Sequence, residues 1–134
     1  MLKLNAFGSE KTEELIFRKI FKKILEAIKI KDEGYINLIF VNKEAIKSLN
    51  KDYRNIDMPT DVLSFVYNEE CKGEVIISKE IVEKYASEDG KLPQEELNKT
   101  FVHGVLHLFG YDHMKKDDAK RMREKEEEIL RTLT

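Results

Sequence analysis

The chain has 134 residues, of which 41% are hydrophobic and 37% are charged, enough for one ordinary domain with a single core. A net charge of −2 at pH 7 excludes a general electrostatic argument for nucleic-acid binding, so any such argument needs a local patch. The single cysteine, Cys71, excludes an internal disulfide, and no apolar run approaches the length of a membrane span. We therefore expect one domain over residues 1–134, in the reducing cytoplasm and without a membrane partner.

Hydrophobic periodicity predicts strands and helices that do not alternate regularly. Runs rich in β-branched and aromatic residues predict strands at residues 2–7, 35–41, 62–67 and 74–78. Amphipathic segments predict helices at residues 12–28, 43–50, 78–87, 93–110 and from 117 or 118 to 133. The last two strands can form a hairpin, with Cys71 in its loop. The pattern favours an α+β fold with a mixed sheet of about four strands and four or five helices.

All three histidines lie close together, at His103, His107 and His113. His103 and His107 are four residues apart, so both imidazoles project from one face of a helix. His113 would lie on another face if the helix continued, but Gly110 can adopt the left-handed conformation that ends a helix. A turn there can bring His113 back. Three neutral imidazoles would then converge on one transition metal, with zinc as the default.

The histidine spacing resembles the metzincin zinc-binding signature and predicts a zincin-like metal-binding helix. Zincins carry a glutamate directly after the first histidine as general base, and here that position is Gly104. Three clear ligands leave one coordination position for water, while a fourth ligand from Asp61 or Asp112 has no support in the sequence. A site of three neutral ligands keeps a charge near +2, which suits an anionic substrate such as a phosphodiester.

Arg54 is the next candidate residue, in a segment that we predict to be a loop. A loop arginine is usually a solvated charge. Beside a metal site it would instead clamp a phosphate through two parallel hydrogen bonds and stabilise developing charge. Spacing alone leaves both interpretations open.

Two motifs together resemble the YbeY family of bacterial proteins. The first reads HGVLHLFGYDH from residue 103 to 113, and the second reads YRNIDMPTDVLSF from residue 53 to 65. The order and spacing of the remaining elements match over nearly the whole chain. Two mild departures are Val66, where the family commonly has proline, and Gly73-Glu74-Val75, where it commonly has Gly-Asp-Ile.

The resemblance implies a single-strand-specific, metal-dependent endoribonuclease. Its expected roles are 3′-end maturation of small-subunit ribosomal RNA and ribosome quality control, so the partners are ribosomal RNA and the small ribosomal subunit. It implies that His103, His107 and His113 bind one zinc ion per chain. It also implies that Arg54 contacts the substrate and that Arg54 and His113 are the catalytic residues.

Three functions remain open from the sequence. The first is the endoribonuclease just described. The second is a ribosome-assembly binding protein with a structural metal, since a buried metal also rigidifies a fold. The third is a zincin-like peptidase, which Gly104 disfavours because glycine cannot transfer a proton.

Overall fold

The computed structural model describes residues 1–112 and 115–133 of the chain. These residues form nine elements: β1 (Lys3–Phe7), α1 (Lys11–Ile28), β2 (Tyr35–Phe40), α2 (Lys43–Arg54), β3 (Val62–Val66), β4 (Cys71–Ile77), α3 (Lys79–Glu88), α4 (Pro93–Leu108) and α5 (Lys116–Arg131). The strands form one sheet in the order β1-β2-β4-β3. The first three in that order run parallel, and β3 pairs antiparallel with β4. The predicted α+β fold with a four-stranded mixed sheet is confirmed.

The main core lies between the sheet and helices α1, α4 and α5. Phe17 of α1 and Phe101 of α4 are fully buried, with ring centroids 5.1 Å apart in an edge-to-face arrangement. Val75 of β4 and Met122 of α5 belong to the same cluster. Each such side chain stabilises the fold by about 1.5–3 kcal/mol relative to an exposed position. The core therefore holds α4, which carries two of the histidines, firmly against the sheet.

The other face of the sheet is only partly covered. Helix α2 packs there through a small cluster of Ile46, Leu63 and Ile76. Beyond α2, polar side chains form a hydrogen-bonded row across β1, β2 and β4. The amide Nδ2 of Asn5 donates to Oδ1 of Asn37 at 3.3 Å.

Glu74 ends this polar row and occupies the acidic position at which the sequence departs from the YbeY pattern. It accepts hydrogen bonds from Nδ2 of Asn37 at 3.2 Å and from the hydroxyl of Tyr67 at 2.6 Å. The bond to Glu74 raises the pKa of Tyr67 to about 12. Because neighbouring strand residues point to opposite faces, Glu74 points away from the face that Val75 presents to α4.

Three local predictions were wrong. Helix α2 continues past the predicted end at residue 50, so Arg54 is its last residue and not a loop residue; Asn55 follows in the left-handed conformation, with φ of 58°. Helix α1 begins before Thr12, because Glu10 and Glu13 form a reciprocal capping box. Cys71 is not a loop residue but the buried first residue of β4.

The predicted break after the histidine helix is present. Gly110 adopts φ of 91°, and this allows the backbone N–H of Tyr111 to reach the carbonyl of Leu106 at 3.1 Å. The chain turns back there, and Asp112 lines the same cleft as the helix histidines. Within the described ranges, no helix combines the length and the apolar character needed to cross a bilayer.

Candidate active site

The Nε2 atoms of His103 and His107 lie close together at the same cleft. The two residues lie one turn apart near the end of α4, and their Nε2 atoms are 3.1 Å from each other. The two rings meet edge to face, with centroids 4.7 Å apart and an interplanar angle of 74°. The predicted convergence of these two imidazoles is therefore present in the structure.

Both histidines line a cleft of about 560 Å³ at the ends of α2 and α4 and beside β3. Its lining residues are those of the second motif and of the histidine motif: Tyr53, Arg54, Thr60, Asp61, Val62, Leu63, Ser64, Phe65, His103, His107 and Asp112. The fold thus brings together two segments about 50 residues apart in the sequence. Arg54 shares this cleft with both histidines.

Gly104 sets the distance between α4 and the β3–β4 hairpin. A Cβ atom at this position would lie 2.6 Å from Cγ1 of Val75 and 3.1 Å from Cγ2 of Val62. The hydroxyl of Ser64 donates to the carbonyl of Gly104 at 2.9 Å, which adds a second tie between helix and strand. The close approach requires glycine, and it places the helix histidines beside β3.

Glu126 lies behind His103, and sequence reasoning missed it. Its Oε1 atom is 2.5 Å from Nδ1 of His103. Glu126 is 8% exposed and is one of three buried residues of α5, together with Met122 and Ile129. The spacing of these three residues puts them on one helix face. A glutamate that interrupts an apolar face was the only signal available in the sequence.

Arg54 stands at the C-terminus of α2 with an exposed side chain. Among residues 1–112 and 115–133, no carboxylate forms an ion pair with it. The loop that follows is anchored, because Nδ2 of the buried Asn50 donates to the carbonyl of Met58 at 2.8 Å. The backbone of Arg54 therefore lies on a fixed helix end at the cleft, and its exposed guanidinium can reach an anion there.

Tyr53 places an aromatic ring on the rim of the cleft. It is 68% exposed, although its ring packs edge to face on Phe65 with centroids 5.0 Å apart. An exposed ring fixed by a second ring offers one face for stacking. Tyr53 directly precedes Arg54, so an aromatic surface and a cation share the last turn of α2.

The described residues include two of the three predicted metal ligands, His103 and His107. Within residues 1–112 and 115–133, no group of three His, Cys, Asp or Glu side chains is arranged to hold a metal ion. The third predicted ligand, His113, lies outside the described residues, and so does its predicted catalytic role. Asp61 and Asp112 line the cleft, and Asp61 accepts a hydrogen bond from Thr60 at 3.3 Å.

Comparison with known proteins identifies the class of enzyme. The family model described as endoribonuclease YbeY matches residues 4–134. Endoribonuclease YbeY of Fusobacterium nucleatum is 38% identical, over 96% of this chain and 86% of its own length. That of Thermotoga neapolitana is 40% identical, over 92% and 83%. The solution structure of TM1509 from Thermotoga maritima aligns with a TM-score of 0.67 at 35% identity, over 95% of this chain and 86% of its own.

The chain is therefore an endoribonuclease, a hydrolase that acts on RNA phosphodiester bonds. It belongs to the YbeY family. The family resemblance read from the two sequence motifs is thereby confirmed.

Proposed function

We propose that this endoribonuclease is zinc-dependent and cleaves single-stranded RNA in the cleft between α2, α4 and β3. We further propose that it acts in the cytoplasm on small-subunit ribosomal RNA, in 3′-end maturation and ribosome quality control. The observation that carries the proposal is the convergence of His103 and His107 in a cleft that also holds Arg54. The ribosomal role rests on the family resemblance.

The two imidazoles fit zinc. A tetrahedral zinc ion with Zn–N bonds of about 2.05 Å places two nitrogens about 3.3 Å apart. The Nε2 atoms of His103 and His107 are 3.1 Å apart, which needs only a small adjustment. We take His113 as the third ligand from the motif spacing. When bound, zinc supplies a Lewis acid and lowers the pKa of coordinated water.

The chain's own residues then have separate tasks. His103 and His107 would hold the metal through Nε2. The guanidinium of Arg54 binds the phosphate at two points and stabilises the charge that develops during cleavage. The guanidinium of Arg54 is a cation without an acceptor atom, so it binds the phosphate and does not compete for the metal.

Tyr53 supports the preference for single strands. Unpaired bases can be splayed out and stacked on aromatic side chains, whereas bases within a duplex cannot. The exposed ring of Tyr53 adjoins Arg54, so a base can stack there while the neighbouring phosphate reaches the guanidinium. A duplex would keep its bases stacked on one another and gain nothing from the ring.

A peptidase function is disfavoured by position 104. A zincin needs a carboxylate there to protonate the leaving amine. Gly104 supplies none, and Val62 and Val75 fill the space that a side chain would enter. RNA differs because it carries its own potential nucleophile, the 2′-hydroxyl.

The test compares four samples: the wild-type enzyme with zinc, the same preparation with chelator, and the His103→Ala and His107→Ala variants. We expect one zinc per wild-type chain, loss of zinc in both variants, and cleavage of single-stranded RNA only by the zinc-loaded wild type. A duplex of the same sequence and an unstructured protein should remain intact. A transcript that spans the 3′ end of small-subunit rRNA should be cut in preference to a shuffled sequence.

Three results would contradict the proposal. Chelator-sensitive proteolysis with intact RNA would favour a peptidase. Zinc binding without cleavage of any RNA would favour a structural metal. Equal zinc content in the wild type and both variants would remove the histidines from the site. The product ends report the route, since a 2′,3′-cyclic phosphate indicates attack by the 2′-hydroxyl and a 3′-hydroxyl indicates attack by water.

A further inference from the structure

Glu126 is a buried carboxylate on an otherwise apolar helix face. It lies on the inner face of α5 between Met122 and Ile129, which are both buried in the main core. Burying an ionised carboxylate without a partner is unfavourable by several kcal/mol, on the order of the effective penalty per ion in proteins. The contact that compensates is the 2.5 Å approach of Oε1 to Nδ1 of His103.

This contact decides which nitrogen of His103 carries the proton when its imidazole is neutral. A carboxylate has only acceptor atoms, so in a hydrogen bond between a carboxylate and an imidazole the proton is donated by the ring nitrogen, here Nδ1. A neutral imidazole carries one N–H, and the other nitrogen is then a bare acceptor. In His103 that other nitrogen is Nε2, the atom 3.1 Å from Nε2 of His107.

We propose that Glu126 is a positioning residue that holds His103 in the Nδ1–H form and directs its Nε2 lone pair into the cleft. The carboxylate fixes both the tautomer and the rotation of the ring. If the ring rotated, Nδ1 would lose its contact with Glu126, and the buried carboxylate would be left without this partner. For zinc, Glu126 is thus the outer partner of a ligand and not a ligand itself. The consequence for zinc rests on the proposed function, whereas the effect on the tautomer does not.

The first measurement needs no metal. Correlation spectra of the histidine ring nitrogens in the metal-free protein at about pH 8, with signals assigned through His103→Ala, report which nitrogen carries the proton. That pH is above the ordinary pKa of imidazole, about 6.5. We expect the Nδ1–H form for His103 in the wild type. Glu126→Leu, which removes the acceptor from an apolar face, should shift it towards Nε2–H.

The second measurement is zinc affinity by competition with a chelator. Loss of an outer-shell partner typically weakens metal binding by about 10- to 100-fold. We expect that loss for Glu126→Leu and a smaller one for Glu126→Gln, which keeps an acceptor oxygen but loses the charge. Glu127→Gln, an exposed neighbour on the same helix, is the matched control and should bind zinc as the wild type does.

The outcomes separate this proposal from the function on which it rests. An Nδ1–H tautomer that persists in Glu126→Leu overturns it, even if zinc affinity falls. Unchanged affinity with a changed tautomer also overturns the positioning role. If the wild type binds no zinc, the proposed metal dependence fails, and the tautomer of Glu126→Leu alone decides the role of Glu126. Cooperative thermal unfolding of Glu126→Leu, Glu126→Gln and Glu127→Gln shows that the comparison is made between folded proteins.

Discussion

Lys79 and Arg54 show two ways in which this fold places a cation. Lys79 begins α3, and its Nζ atom lies 2.5 Å from Oε1 of Glu13 in α1 and 4.7 Å from the centroid of the Phe40 ring. Its charge is used within the fold, where it ties two helices together. Arg54 ends α2 beside the cleft, and the described part of the chain offers it no ion pair.

The two cations differ in where they lie and in what surrounds them. The chain has 26 acidic residues against 24 Lys and Arg residues, and many of these cations form no ion pair in the described part of the chain, so Arg54 is distinguished by its place at the cleft. A cation already paired with a carboxylate would have to lose that partner before it could bind phosphate. The paired cation should therefore affect stability, and the unpaired one should affect catalysis.

The largest expected effect is that of Arg54→Ala on catalysis. We expect kcat on single-stranded RNA to fall by about 10²–10³-fold, which is typical for the loss of one donor that stabilises transition-state charge. Zinc content and melting temperature should stay unchanged, because the side chain is exposed. Arg54→Lys should also be impaired, since an ammonium cannot make the planar two-point contact. Lys51→Ala, in the same turn of α2, is the control, and full activity of Arg54→Ala would show that the arginine is only a solvated charge.

A smaller effect is expected from Tyr53→Ala, which removes the proposed stacking surface. Loss of one stacked base typically costs about 1–3 kcal/mol, so the dissociation constant for single-stranded RNA should rise roughly 5- to 150-fold. Binding is measured in chelator so that the RNA stays intact. Tyr53→Phe should bind as the wild type does, and Tyr85→Ala tests an exposed tyrosine outside the cleft. Equal binding by Tyr53→Ala and Tyr53→Phe would remove the ring from the binding site.

The smallest effect on activity is expected from Glu13→Gln, which tests the other side of the comparison. Burial would raise the pKa of Glu13, but the hydrogen bonds from Lys79 and from the backbone of Glu10 outweigh it, so the pKa is lowered. A lowered folded-state pKa stabilises the protein above the unfolded-state pKa, and this contribution is lost as pH falls through the folded-state pKa.

We therefore expect Glu13→Gln to lower the free energy of unfolding by roughly 1 kcal/mol at pH 7, less than for a buried hydrogen bond to a charged group because solvent screens this pair. The difference from wild type should shrink as the pH falls below about 4.5, the ordinary pKa of glutamate. Denaturant unfolding at several pH values measures it, and cleavage of RNA should be unaffected. A difference that stays constant with pH would mean that the pair does not act through the charge of Glu13.

Sequence predicted the parts of this protein that depend on local pattern. The periodicity of residues 16–28 predicted the apolar stripe of α1, and the spacing of His103, His107 and Gly110 predicted a shared helix face followed by a turn. These features need only neighbours within a few residues. The hairpin of β3 and β4 was predictable for the same reason.

What sequence missed depends on long-range packing. Glu126 contacts a residue 23 positions away; its place on an apolar face predicts burial, but nothing in the helix sequence shows that its partner is His103. The helical placement of Arg54 follows from the left-handed Asn55, and asparagine has only a modest preference for that conformation. The order of the strands in the sheet likewise depends on crossovers that no short motif specifies.

The close packing at Gly104 constrains how this enzyme can change during evolution. A single substitution, Gly104→Glu, would complete the peptidase signature, but the new side chain would leave the helix towards Val75 and Val62. Forcing extra atoms into a packed layer typically costs about 1–3 kcal/mol, and occasionally more. The first mutant on that path would be less stable and would still lack a carboxylate facing substrate. This endoribonuclease and the zincin peptidases have the same histidine spacing. The destabilised Gly104→Glu mutant that would connect the two sequences is one that selection would remove.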